Sequence, residues 1–310
     1  MDGNMLIGIL AAAVTAGTPL LYAALGEIIT ERAGILNLGV EGMMLTGAVT
    51  GFIVAVSTGN PWFGALAAIL AGGAVSLIHA ILSVTFQANQ VVSGLALTIF
   101  GTGLSGYLGK SYIGIPAPQT FSKFPLPVLA DIPLIGPVLF NQDALVYFSY
   151  LLVPVIWFYI YKTKHGLNLR AIGENPGAAD AVGINVFVLR YIYVVIGGML
   201  AGLAGAYLSL AYAPAWLENM TAGRGWIAVA LVIFATWNPL KAVGGAYLFG
   251  GVDALGYRMQ AMGLDVSSFF LKMLPYIFTI IVLIFATTQT NKKHIGAPGA
   301  LSLSYDREER

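Results

Sequence analysis

The chain has 310 residues, of which 58% are hydrophobic and 9% charged, with a formal net charge of +1. An average globular chain is about 45–50% apolar and about 25% charged, so one soluble core cannot hide this composition and the surplus must face lipid. The absence of cysteine excludes disulfides and thiolate metal sites, and three scattered histidines, His79, His165 and His294, make no ligand pattern.

Apolar runs of about 20 residues, the length that crosses a bilayer, recur from residue 5 to residue 288. The first lies near 5–29; it follows an aspartate with no Lys or Arg and exceeds a signal-peptide core, so it reads as a retained helix. Others follow near 34–58, 62–86 and 90–108. Residues 109–142 hold six prolines and read as an external loop rather than a span. A fifth run covers 143–161, and the charged segment 162–190 separates it from a sixth at 188–212. The last three lie near 225–238, 242–259 and 269–288, with the seventh short and parted from the eighth only by residues 237–241. The 38 glycines suit closely packed membrane helices, whereas barrel strands would be shorter and alternating. The expectation is an all-α polytopic transmembrane bundle of about nine spans, a permease-like domain over 1–290 and a cytoplasmic tail over 291–310.

A cytoplasmic C-terminus puts ten of the fifteen basic residues inside, leaving Lys110, Lys123, Arg224, Arg258 and Lys272 outside, in agreement with the positive-inside rule. The net charge itself says nothing about partners, and no nucleic-acid partner is expected. A faint repeat accompanies this topology. Asn60-Pro61 precedes Gly72-Gly73, and Asn238-Pro239 precedes Gly250-Gly251 at the same spacing, on opposite sides of the membrane, as in an inverted repeat; chance coincidence is the alternative.

The densest chemistry lies in Glu31-Arg32-Ala33-Gly34-Ile35-Leu36-Asn37-Leu38-Gly39-Val40-Glu41-Gly42-Met43-Met44. Its three glycines weaken a helix, and Asn37 and Glu41, four apart, are expected on one helical face. An ionised carboxylate in a span costs roughly 2.5 kcal/mol or more, so Glu41 should face protein or water. One reading is a broken helix lining a translocation path; the other is that Asn37 and Glu41 fix packing. Glu27 and Glu31 are expected at the inner end of the first span, with a helix-end carboxylate paired to Arg32 at the water interface. Asn89, Gln90 and Ser93 open the fourth span, where such polar residues suit a cap. For His79 and Asp253, interior hydrogen bonds are favoured over a proton relay.

In the long internal loop, Asn175 suits an N-cap, Pro176 a first helical position and Gly183 a left-handed stop, giving a helix of about seven residues. So short a helix needs something to dock against, either the protein's own inner face or a partner. The phosphate-binding pattern Gly-x-x-x-x-Gly-Lys-Ser/Thr is absent, so any ATP is spent by another chain.

Three stretches, the one from Glu31 to Met44 above, Arg170-Ala171-Ile172-Gly173-Glu174-Asn175-Pro176, and Gly197-Gly198-Met199-Leu200-Ala201-Gly202-Leu203-Ala204-Gly205, resemble the permease subunits of ABC importers for branched-chain amino acids, ribose-type sugars and nucleosides. The resemblance covers nearly the whole chain. Within that group, Ala88-Asn89-Gln90-Val91-Val92-Ser93-Gly94 and the tail from Gly296 to Arg310 look most like the simple-sugar and nucleoside permeases, with Gly299 and Ser302 departing from the alanine and glycine expected there.

The resemblance implies a type II importer fold in a bacterial or archaeal plasma membrane. The implied partners are a second related permease, an ABC ATPase subunit and an extracytoplasmic substrate-binding lipoprotein. It implies no cofactor in this chain, ATP being bound by the ATPase, and no catalytic residue. It makes the short helix a coupling helix carrying Glu174, Asn175, Pro176, Ala178, Ala179, Asp180 and Gly183. A path for a neutral, hydroxyl-rich solute would run near Asn37, Glu41, Asn89, Trp226 and Asn238. The rivals are a branched-chain amino acid ABC permease, an ion-coupled secondary transporter working through Glu41, Asp253 or His79, and a membrane-embedded enzyme, for which no nucleophile and base pairing is visible.

Overall fold

The computed structural model describes residues 3–261, 270, 273–274, 276–281, 284 and 296–307. The chain runs α1 (Gly3–Arg32), α2 (Val40–Thr58), α3 (Pro61–Ala80, continued by a wider turn over Ile81–Thr85) and α4 (Gln90–Gly109). Then come the two-residue strands β1 (Phe124–Pro125) and β2 (Asn141–Gln142), antiparallel, with the five-residue α5 (Ile135–Leu139) between them. Next are α6 (Ala144–Lys162), the surface helices α7 (Lys164–Glu174) and α8 (Pro176–Ala181), α9 (Val186–Tyr207), α10 (Arg224–Phe234) and α11 (Pro239–Ala261).

Local signals set most of these starts. Asn60, Asn89 and Asn185 each accept a hydrogen bond from a backbone N–H in the first turn of α3, α4 and α9, and Asp143 accepts two at α6, satisfying donors that a helix leaves unpaired. Pro61 and Pro176 occupy first-turn positions where a missing N–H costs nothing.

Among the described residues, six helices are long and apolar enough to cross a membrane: Met5–Arg32, Val40–Thr58, Pro61–Thr85, Gln90–Tyr112, Ala144–Lys162 and Val186–Tyr212. These are the first six expected spans, and they make the chain a mostly helical multi-pass membrane protein. The second starts at Val40 rather than residue 34, because residues 33–39 leave the helix. The seventh is the 11-residue α10, about 16 Å long at 1.5 Å per residue against a hydrocarbon core of about 30 Å; it is too short to span. The eighth, α11, is helical but falls outside the six, and half of the ninth, 269–288, lies outside the described residues. Of that run, residues 276–281 are helical, with Phe278 edge-on to Phe249 at 5.0 Å. No helix of spanning length occurs between α4 and α6.

Glycine sets how closely the helices approach. A methyl on Gly72 of α3 would collide with Gly198 O of α9 and lie 2.7 Å from Gly202 Cα, and one on Gly17 of α1 would lie 2.5 Å from Ala246 O of α11. Without a hydrophobic drive between helices in lipid, such backbone-to-backbone packing is what holds them. Two antiparallel pairs result, α3 on α9 and α11 on α1, which run side by side through glycine faces. Gly103 on α4 is different, with open space around its would-be side chain. Gly72→Val should therefore lower the stability of the purified chain by about 2 kcal/mol, while Gly103→Ala should be neutral or slightly stabilising; thermal unfolding in detergent separates the two.

Candidate functional site

Residues 33–39 form an irregular segment inside the bundle, and nearly all of its polar backbone is paired. Gly34 N donates to Glu31 O and Ile35 N to Thr30 O, while Leu36 N donates to Gln90 Oε1 (2.7 Å) and Asn37 N to Glu27 Oε1 (3.0 Å). Thr98 Oγ1 donates to Leu38 O (2.9 Å), Arg190 Nε to Ala33 O (3.2 Å) and Ser302 N to Gly34 O (3.2 Å). His79 Nε2 lies 3.0 Å from Leu36 O and its Nδ1 3.0 Å from Ser93 Oγ, the interior hydrogen bonds expected of it.

Asn37 and Glu41 do not share a helical face. Asn37 lies before α2, and its Oδ1 accepts from Gly39 N two residues on (3.0 Å), an Asx turn that competes with the helix. Gly34, at φ +85, completes the break. Both side chains are buried, at 1% and 5% exposure, in protein rather than along an open path.

Glu41 spends its carboxylate on α10. Its Oε1 accepts from Thr221 Oγ1 (2.6 Å) and Gly223 N (2.7 Å), and its Oε2 from Gly225 N (2.6 Å). The free N–H groups and positive end of a helix are a natural carboxylate site; here the carboxylate comes from another helix. At the other end of α10, Thr236 and Trp237 turn the chain with φ near +51 and +52, a region that costs about 1–3 kcal/mol for a non-glycine residue. The turn is held from α1: the Trp237 indole N–H donates to Glu31 Oε2 (2.5 Å), and Arg32 donates through Nε and Nη2 to Trp237 O and through Nη2 to Tyr161 Oη. Glu31 is thus not at a water interface beside Arg32 as expected. Both it and Glu27 are buried, and Trp237 stands between acid and base. Asp253 pairs with Arg224 at 2.8 Å.

On the charged face, Asn175 Oδ1 accepts from Ala178 N (2.9 Å) to cap α8, and Gly183 ends it at φ +86. The helix is six residues long and sits as expected from sequence. Ala179 is its inward anchor, at 3% exposure, while Gly177, Ala178, Ala181 and Val182 are exposed, Val182 at 77%. Glu174 and Asp180 are taken up by the tail: Gly299 N donates to Glu174 Oε2 (3.0 Å), and Arg307 and Tyr305 donate to Asp180.

The remaining path candidates also have local work. Asn89 caps α4 and Asn238 accepts from Leu240 N (2.9 Å) at the start of α11; Trp226 is half-buried on α10. Asn37, Glu41, Asn89 and Asn238 are thus each engaged in a hydrogen bond that shapes the backbone or joins helices. Thr221, Gly223, Gly225 and Trp237 were missed, because their partners lie 180 to 206 residues away and nothing local marks them.

The sequence profile of the family described as branched-chain amino acid transport system / permease component matches residues 9–287, and the chain belongs to that family. It is 44% identical to the putative glucose ABC transporter permease protein TsgC13 of Haloferax volcanii, covering 97% of this chain and 98% of that one. It is 36% identical to the guanosine ABC transporter permease protein NupQ of Bacillus subtilis, over 89% and 90% of the two chains. The identity to the nucleoside ABC transporter permease protein NupC of Lactococcus lactis is 35%, over 90% and 92%.

Hydrogen bonds to a charged group contribute about 1.5–3 kcal/mol each, and Glu41 makes three. Glu41→Ala should lower stability by about 3 kcal/mol or more, and Glu41→Gln by less, since its amide oxygen still accepts from one of the two glycine N–H groups. Thermal unfolding of the two variants in detergent checks the order.

Proposed function

We propose that this chain is one of a pair of permease subunits in an ATP-driven ABC importer, which takes up a neutral, hydroxyl-rich solute, a nucleoside or simple sugar, handed over by an extracytoplasmic binding protein. The observation that carries the reading is α8. It is a short helix capped at both ends and anchored inward by Ala179, with a small apolar face at the protein surface. A helix of this length has no stability of its own, so its display suits a docking element for an ATPase subunit. The chain itself lacks a phosphate-binding loop. The positive-inside count puts α7 and α8 in the cytoplasm, and the plasma membrane of a bacterium or archaeon is the setting that such importers imply.

The helix order supports an inverted repeat. A long helix, a helix that starts after a break, and a helix begun by Asn-Pro occur in sequence as α1, α2, α3 and again as α9, α10, α11, and α3 packs on α9 as α11 packs on α1. With residues 269–288 as the counterpart of α4, the count returns to about nine membrane segments, α10 being a half-span.

Cargo follows from the relatives named for glucose, guanosine and nucleosides, against the branched-chain amino acids of the family description. A zwitterion needs paired charges or free helix ends at its site, and the N-terminus of α10 is already occupied by Glu41. Ion coupling is disfavoured on similar grounds. Glu41, Asp253 and His79 are each engaged in hydrogen bonds or an ion pair. Asn37 and Glu41 then shape the path from behind, by holding α10, rather than by touching cargo.

In proteoliposomes with the ATPase, the second permease and the binding protein, Val182→Asp should leave the complex inserted and assembled while abolishing ATP-driven uptake. Normal uptake by that variant, or uptake by the purified chain alone under an ion gradient, would sink the reading.

A further inference from the structure

The C-terminal tail follows a course that its composition does not announce. Residues 299–307 lie across the face that carries α8 and bond in turn to five separate segments. Gly299 N and Ala300 N donate to Glu174 Oε2 and Gly173 O of α7 (3.0 and 2.8 Å), with the Ala300 side chain buried at 4% exposure. Ser302 N donates to Gly34 O in the membrane break, and Ser302 itself takes a left-handed φ of +65. Arg190 Nη1 of α9 donates to Leu303 O (3.4 Å), and Gln87 Nε2 before α4 donates to Tyr305 O (3.3 Å). The Tyr305 ring lies 5.6 Å from that of Phe187, tilted by 43°. The course ends on α8, where Tyr305 Oη donates to Asp180 Oδ2 (3.0 Å), Arg307 Nε to Oδ2 (2.8 Å) and Arg307 Nη2 to Oδ1 (2.5 Å).

We infer that residues 296–307 are a strap that sets the pose of α8, with the two-pronged Asp180–Arg307 pair as its latch, so that the tail is part of the surface meeting the ATP-hydrolysing partner. The inference rests on the reading of α8 as the docking element. Six helical residues with one buried alanine cannot fix their own orientation, and a fork-to-fork guanidinium and carboxylate fixes angle as well as distance. The Arg307 guanidinium holds the Asp180 carboxyl below its ordinary range, so the latch is charged at neutral pH. Arg307 is 61% exposed, and an ion pair that wet adds little to global stability. Breaking it should free α8 without unfolding the bundle, which makes the strap separable from the fold.

The chain has no cysteine, so a nitroxide on Val182→Cys in the purified full-length chain reports the motion of α8 without any partner. Arg307→Ala and Asp180→Asn should each add a mobile component to its spectrum, and the exchange of charges in Asp180→Arg with Arg307→Asp should remove most of it. An unchanged spectrum in Arg307→Ala overturns the strap. In the assembled importer, Arg307→Ala should lower uptake per ATP hydrolysed severalfold, with rescue by the exchanged pair. Freed α8 with unchanged uptake per ATP overturns the tail's place in docking. If Val182→Asp leaves uptake normal, the docking role of α8 fails, and the spectra still decide whether the tail restrains it.

Discussion

A polypeptide that leaves helix inside a bilayer must find a partner for each exposed N–H and C=O within the protein, at a cost of several kcal/mol for each one missed. Residues 33–39 make that demand here, and the arrangement of the bundle follows from how it is met. Partners arrive from α1 through Glu27, from α3 through His79, from α4 through Gln90 and Thr98, from α9 through Arg190, and from the tail through Ser302 N. A folded domain is stable by about 5–15 kcal/mol in total, so two or three unmet groups would consume it. The break is consequently a fixed point, against which these segments are placed in register.

α10 is placed by the same economy of polar groups. Its first N–H groups have no partner of their own, and Glu41, one residue into α2, supplies from another helix the acceptor oxygens that a capping amide such as Asn60 supplies locally for α3. Its far end is a strained reversal held by Glu31 and Arg32. The acids that look in sequence like ligands for a cargo are thereby committed to the scaffold. A solute carried as proposed would have to find its hydrogen bonds among groups not already engaged, such as those along the less buried α4.

Much of the fold was legible because length and capping are local properties. Six spans, the caps at Asn89 and Asn175, the stop at Gly183 and the non-spanning loop after α4 are all written within a few residues of where they act. The shortness of α10 was not, since the apolar run continues past Phe234 and the reversal at Thr236 and Trp237 is imposed by α1, more than two hundred residues earlier. The expected shared face of Asn37 and Glu41 failed for a related reason. Helical periodicity was extended across Gly34 and Gly39, where a side-chain turn at Asn37 had already replaced the helix. The helix over 175–183 was readable, but not its orientation, because that depends on Arg307, 127 residues downstream of Asp180.

Arg190 joins the membrane interior to the charged face. Its Nε donates to Ala33 O in the break and its Nη1 to Leu303 O in the tail, while its side chain is buried at 2% exposure. A guanidinium is planar, with its donors in a fixed fork, so the two carbonyls it holds are kept at a set separation. The tail also reaches the break directly, through Ser302 N and Gly34 O. A displacement of the tail with α8 must then either carry the break along or give up hydrogen bonds to a buried cation, which are the costly kind to lose. The break in turn holds Glu41 at the start of α2, and Glu41 holds α10. A continuous chain of bonded groups thus runs from the surface helix α8 through the tail and the break to α10.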